Sequence, residues 1–178
     1  MNQYTLLAKN AVENYIKENI VISPPKDLPK EFFEKRTGVF VTIEKDSELR
    51  GCIGAYLSTK QNIAEEIIHN AIAATTEDWR FNPIKKEELP YLHYTVYVLS
   101  DPSWPVKNIS ELNPKKFGII IKTHTISPKC GVLLPDLEDI DTVEQQISIT
   151  CQKAGIDPNT EKIIIYKFTA EKFKDDRE

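Results

Sequence analysis

The chain has 178 residues, of which 40% are apolar and 28% charged, with a formal net charge of -4; that is an ordinary globular composition, long enough to bury a core without disulfides or metals. Acids and bases are mixed along the chain, so phosphate-backbone binding, which needs a concentrated basic face, is not expected, and nucleic acid is not expected as a partner. No apolar run is long enough to span a bilayer, Met1-Asn2-Gln3-Tyr4 lacks the basic start and apolar block of a secretion signal, and three scattered cysteines (Cys52, Cys130, Cys151) make no disulfide framework, so a reducing, cytoplasmic setting is expected.

Tyr4, Leu7, Ala8, Ala11, Val12, Tyr15 and Ile16 recur at three- and four-residue spacing, which predicts an amphipathic helix over 2–19. Pro24, Pro25 and Pro29 then impose a loop, which Phe32 and Phe33 are expected to pin to the core. Residues 38–43 read as a strand from their β-branched and aromatic content. Residues 44–48 read as a charged turn and 49–57 as a returning strand, so the pair predicts a hairpin. Asn62 followed three residues later by Glu65 resembles a capping box, ahead of a helix whose buried face is Ile63, Ile67, Ala71, Ile72 and Ala74. A loop rich in aromatic and charged groups follows, Glu77-Asp78-Trp79-Arg80-Phe81-Asn82-Pro83, with Trp79 and Phe81 expected as core anchors.

Residues 92–99 predict a strand, 101–106 a proline-punctuated connection, and 117–122 and 132–134 two short strands. Thr142 and Gln145 repeat the capping-box pattern for a helix ended by Gly155 in the left-handed region. Residues 162–168 predict the last strand and 174–178 a frayed tail. No repeat, low-complexity tract or composition break divides the chain, so a single α/β (α+β) domain over 1–178 is expected.

Leu49-Arg50-Gly51-Cys52-Ile53-Gly54 matches the signature hexapeptide of the AMMECR family, also known as the AmmeMemoRadiSam system protein A type. Further landmarks follow in the family's order: Gly38-Val39-Phe40-Val41-Thr42 before it, then Asp78-Trp79-Arg80-Phe81-Asn82-Pro83, Glu88-Leu89-Pro90, Leu133-Leu134-Pro135 and Cys151-Gln152-Lys153-Ala154-Gly155. The chain therefore resembles that family over nearly its whole length. It departs at Ala55, where members often carry Thr. It departs again at Thr123-His124-Thr125-Ile126-Ser127-Pro128-Lys129, where a glycine-rich basic turn is usual, so no role of that turn is carried over. The resemblance implies a two-lobed fold of mixed or antiparallel sheets flanked by helices, within one domain of two intertwined subdomains. In that fold the larger lobe comes from both termini, and the signature residues lie near the cleft between lobes. It also implies association with a Memo-type protein and a radical S-adenosylmethionine (radical SAM) enzyme, and it assigns neither a reaction nor a cofactor.

Alternation along a strand places Arg50 and Cys52 on one face, with Leu49, Gly51 and Ile53 on the other. A guanidinium beside a thiol favours the thiolate, and Gly51 and Gly54 leave bare backbone for a ligand to approach. One reading is therefore catalytic, with Cys52 attacking an acyl or activated group beside Arg50; His69, His93 and His124 are the imidazoles available as a base. The other reading is structural: Cys52 as a small buried hydrophobe, Arg50 stapling the hairpin to an acid, and the glycines marking a bulge or tight packing. Asp78 and Arg80 form a second candidate group, either ligand-binding beside the hairpin or a structural ion pair fixing the loop. Histidines and cysteines lack zinc-type spacing, so no metal is expected. Two functions follow as expectations: an enzyme-like protein with a Cys52/Arg50 cleft and a small-molecule or macromolecular substrate, or a non-catalytic binding module that presents Arg50 and Asp78 to a partner protein.

Overall fold

The computed structural model describes residues 2–100 and 104–175, Trp104 by its backbone alone. In chain order these form α1 (Gln3–Glu18), α2 (Glu31–Glu34), β1 (Val39–Lys45), β2 (Glu48–Ala55), α3 (Ile63–Thr76) and β3 (Leu92–Leu99). There follow β4 (Trp104–Pro105), β5 (Gly118–Thr123), β6 (Cys130–Leu133), α4 (Val143–Ala154), β7 (Ile163–Phe168) and β8 (Ala170–Lys174). The chain divides into two compact units, Met1–Leu99 with Glu171–Glu178, and Ser100–Ala170. The larger is thus built from both ends, within an α+β architecture of antiparallel sheets and helices.

In the first unit, the Asn2 side chain accepts the Thr5 N–H at 3.0 Å and caps α1. Asn19 ends that helix in the left-handed region, at φ 57°. The single turn of α2 buries Phe32 and leaves Phe33 exposed, so one of the two expected pins holds the loop. β1 and β2 are joined by Asp46 and Ser47, both at positive φ, the backbone that a two-residue hairpin turn requires. The sheet order is β2-β1-β3-β8, which makes β2 an edge strand. Val39, Val41, Ile43, Tyr94, Val96 and Val98 point from one face into a core shared with Leu7, Ala11 and Val12 of α1 and Ile63, Ile67 and Ala71 of α3. Fully burying each large aliphatic side chain contributes about 1.5–3 kcal/mol. Phe40, Thr42, Glu44, Cys52, Gly54, His93, Thr95 and Tyr97 alternate with these positions and belong to the opposite face.

The second unit has the sheet order β4-β7-β5-β6. Its α4 carries a complete capping box of Thr142 and Gln145 and ends at Gly155 with φ 61°. Ile119, Ile121, Leu133, Cys151 and Ile156 form its core. The frayed tail expected from residue 174 needs correction: β8 runs to Lys174, and the buried Asp175 accepts the Tyr94 N–H on Oδ2 at 2.8 Å. Phe173 stacks on Tyr4 with centroids 3.7 Å apart. An edge strand shows most of its side chains to water, so its charged composition conceals this one aromatic anchor. Residues 101–103 of the proline-punctuated connection, and 176–178 of the tail, lie outside the described residues. Among the described residues, no helix is long and apolar enough to cross a membrane.

Candidate functional site

The register of the hairpin runs from Ile43↔Gly51 directly to Glu44↔Leu49. Arg50 is therefore the extra residue of a β-bulge, a feature that re-aims side chains at sheet edges. Simple alternation, which groups Arg50 with Cys52, breaks at this point. The Arg50 guanidinium instead meets Glu88 in the 3-10 turn Lys86–Tyr91, with Nε donating to Oε2 at 3.0 Å and Nη2 to Oε1 at 2.9 Å. Lys45 Nζ donates to Oε2 at 3.3 Å and the Lys85 N–H to Oε1 at 2.9 Å. This set of donors, Arg50 foremost, pulls the Glu88 carboxyl down to about 2. Arg50 and Glu88 are each 17% exposed, so the pair sits half out of solvent.

Cys52 stands opposite Thr42. Its N–H points outward from the sheet, so this is a non-hydrogen-bonded pair, in which the two side chains come closest. Thr42 Oγ1–H accordingly donates to Cys52 Sγ at 3.3 Å. The outward N–H donates to Asp78 Oδ2 at 2.8 Å, so the carboxylate covers one rung of the open strand edge. Asp78 is 5% exposed and also takes Arg80, with Nε donating to Oδ1 at 2.9 Å and Nη2 to Oδ2 at 2.7 Å. The Arg80 hydrogen bond, helped by the Cys52 amide and opposed by burial, holds the Asp78 carboxyl below its ordinary range. Asp78 in turn raises the pKa of Arg80, and Cys52 adds to that effect. The half-buried Phe81 ring lies 5.4 Å from the Arg80 guanidinium carbon and 6.0 Å from that of Arg50, within cation–π range.

Arg50, Cys52, Asp78 and Arg80 thus come together at one edge of one sheet. The glycines have a different use. A Cβ on Gly51 would sit 2.2 Å from Ala74 O of α3, and one on Gly54 would sit 2.4 Å from the Phe40 ring and Val39 O. Their bare backbone serves close packing and is occupied by protein, which corrects the expectation of ligand approach there. Trp79 is also corrected: it is 91% exposed. The turn closed by Phe81 N–H on Asp78 O at 3.0 Å anchors the loop at Asp78 and Phe81 and leaves Trp79, one of the two residues between them, outside.

His93 shares the face of Cys52 but belongs to the second strand over and the adjacent row, about 12 Å away by sheet spacing. Its Nδ1 is 3.5 Å from Asp175 Oδ1. His69 is exposed on α3, on the other side of the sheet, and His124 belongs to the second unit. Neither imidazole of the first unit therefore stands beside the thiol. Thr42, Lys45 and Glu88 join the cluster without having been expected there, although Thr42 and Glu88 both fall inside the family's motif segments. Among the described residues, no group of three His, Cys, Asp or Glu side chains could hold a metal ion.

Fold and site define an α+β protein of two units with a thiol on a hairpin edge, set among ion pairs. The AMMECR1 family model matches residues 5–173, and the chain belongs to that family. It is 47% identical over 172 residues to a protein of Thermotoga maritima, covering 96% of this chain and 97% of that protein. It is 40% identical over 173 residues to a protein of Clostridium acetobutylicum, covering 97% of this chain but 36% of that longer one. The crystal structure of an uncharacterized protein from Pyrococcus horikoshii superimposes with a TM-score of 0.85 at 33% identity, covering 97% of this chain and 89% of that chain.

Proposed function

We propose that this protein is enzyme-like and acts through Cys52 on an electrophilic small molecule or modified macromolecule, in a cytoplasmic pathway shared with a Memo-type protein and a radical SAM enzyme. One observation carries the reading: the partly exposed Cys52 thiol accepts a hydroxyl hydrogen bond from Thr42, and the Cys52 N–H shares Asp78 Oδ2 with Arg80. A hydroxyl donor at the sulfur and a cation held near it through Asp78 both favour negative charge on it. In the step this supports, the thiol proton passes to water and Sγ forms a bond to an acyl carbon. The leaving group departs with the electron pair of its own bond and takes a proton from water. Attack by water then releases the acid and restores the thiol. Arg50 does not face the thiol in this scheme. Its bidentate bond to Glu88 holds the bulge, and Arg80 is the guanidinium beside Cys52.

The test is complementation of a strain lacking the gene, read by untargeted metabolite profiling, with melting curves confirming that each variant folds. Wild type and C130S are expected to restore the parental profile and C52S to leave the deletion profile. Full restoration by C52S would overturn the thiol reading.

Trp79 favours a second reading, that of a binding module. A large aromatic exposed to this degree, flanked by charges, has the character of an interface anchor. Asp78, by contrast, is buried with both oxygens engaged and offers a partner nothing. Capture of the Memo-type or radical SAM protein by C52S but not by W79A would support this reading, and capture by W79A at the wild-type level would dismiss it.

A further inference from the structure

The edge cluster sets three cations, Lys45, Arg50 and Arg80, against two carboxylates, Glu88 and Asp78, leaving one positive charge in excess before the thiol ionises. The cations differ in what they have left to give. Arg50 presents Nε and Nη2 to both oxygens of Glu88 and reaches the Pro83 carbonyl with Nη2 at 3.5 Å, with a side chain only 17% exposed. Lys45 also turns toward Glu88. Arg80 gives Nε and Nη2 to Asp78, yet its side chain is 40% exposed, and its Nη1 donates to no described residue. A guanidinium carries five N–H donors in a rigid fork, so this outer edge remains for another acceptor.

That edge is fixed relative to the sulfur. Asp78 Oδ2 accepts both the Cys52 N–H and Arg80 Nη2, so one buried oxygen ties the thiol-bearing residue to the guanidinium. Phe81 restricts the guanidinium from a second side. We infer that Arg80 is an anion-binding residue of this site, and that the substrate of Cys52 carries a carboxylate or phosphate next to its electrophilic carbon. This rests on the thiol reading given above and names the chemistry of its substrate. An anionic group finds donors on the Nη1 edge of a guanidinium that Asp78 Oδ2 ties to Cys52. A neutral electrophile has no such attraction.

The test compares two alkylating probes at Cys52 of the native, full-length chain, iodoacetate and iodoacetamide, with rates measured by peptide mass spectrometry. In both reactions an S–C bond forms, the C–I bond breaks and iodide leaves with its electron pair, so the probes differ chiefly in the charge beside the reacting carbon. The ratio of the iodoacetate to the iodoacetamide rate is expected to be about tenfold higher at Cys52 in the folded protein than at Cys52 in the denatured chain. It is expected to fall toward the denatured-chain value with added salt. R80Q should abolish the preference and R80K should retain part of it, melting curves confirming that both fold. A folded ratio equal to the denatured ratio, with iodoacetamide still fast, would overturn the anionic substrate and leave the thiol reading standing. A preference surviving in folded R80Q would remove Arg80 from the role. Iodoacetamide reacting with Cys52 no faster than with the buried Cys151 would overturn the thiol reading itself.

Discussion

The two sheets each have an edge strand built on the same local plan, and they use it differently. On β2, Gly51 lies against Ala74 O of α3 and Cys52 follows it; on β6, Cys130 precedes Gly131, which lies against Thr150 O of α4. In both, a glycine lets a helix approach the edge and a cysteine stands next to it. The difference is what folds back onto the edge. At β2 the loop 77–83 returns with Asp78, Arg80 and Phe81, so the Cys52 amide is capped and a guanidinium is held on the same carboxylate oxygen. At β6 the neighbouring Lys129 turns away to Gly155 O and Glu161, and Cys130 is simply exposed. A third environment completes the contrast: burial, then Glu161, pushes the Cys151 thiol up inside the second core. An edge position alone does not surround a cysteine with charges. The returning loop does.

The shared part of the plan is broken by G51A and G131A. A Cβ would meet helix backbone at 2.2 Å in the first case and 2.5 Å in the second, and backbone cannot rotate away as a side chain can. Each is expected to cost about 3 kcal/mol in urea unfolding. Wild-type stability in either variant would show that the helix does not approach the strand so closely.

Glu88 sharpens the part that differs. Its folded pKa of about 2 lies below the ordinary 4.5, so its ionised form is preferred in the folded state. The stabilisation is complete above pH 4.5 and is lost as pH falls toward 2, with an upper bound of about 3 kcal/mol before screening. E88Q is therefore expected to unfold with a flatter acid limb than wild type between pH 4.5 and 2. Parallel limbs would mean that Arg50 and Glu88 do not form the bidentate pair. W79A should have the smallest effect, within about 0.5 kcal/mol in thermal unfolding, because its side chain covers nothing.

Much of the frame is legible in the amino-acid sequence. The capping residues Asn62 and Thr142, the Gly155 stop and the 92–99 strand follow from local rules of helix and strand termination, and each holds. The hairpin is legible from composition. Its bulge is not, because one extra residue leaves no trace in an apolar pattern yet redirects Arg50. Glu88 lies 38 residues from Arg50, and no spacing rule links a strand edge to a 3-10 turn at that distance. Trp79 defies its expected burial for a physical reason: tryptophan is buried on average, and only the turn between Asp78 and Phe81 puts it outside. The pairing of Asp78 with Arg80 can be suspected from their spacing, whereas the Cys52 amide as the third member depends on β2 being an edge strand.

The most direct measurement is iodoacetamide modification of the native protein over a series of pH values, mapped at Cys52, Cys130 and Cys151. A thiol held beside Arg80 and Thr42 predicts that Cys52 reacts first, from a lower pH than the exposed Cys130, and that Cys151 reacts only on denaturation. Cys52 that reacts later than Cys130, or only when the chain unfolds, would contradict a thiol site on the β2 edge.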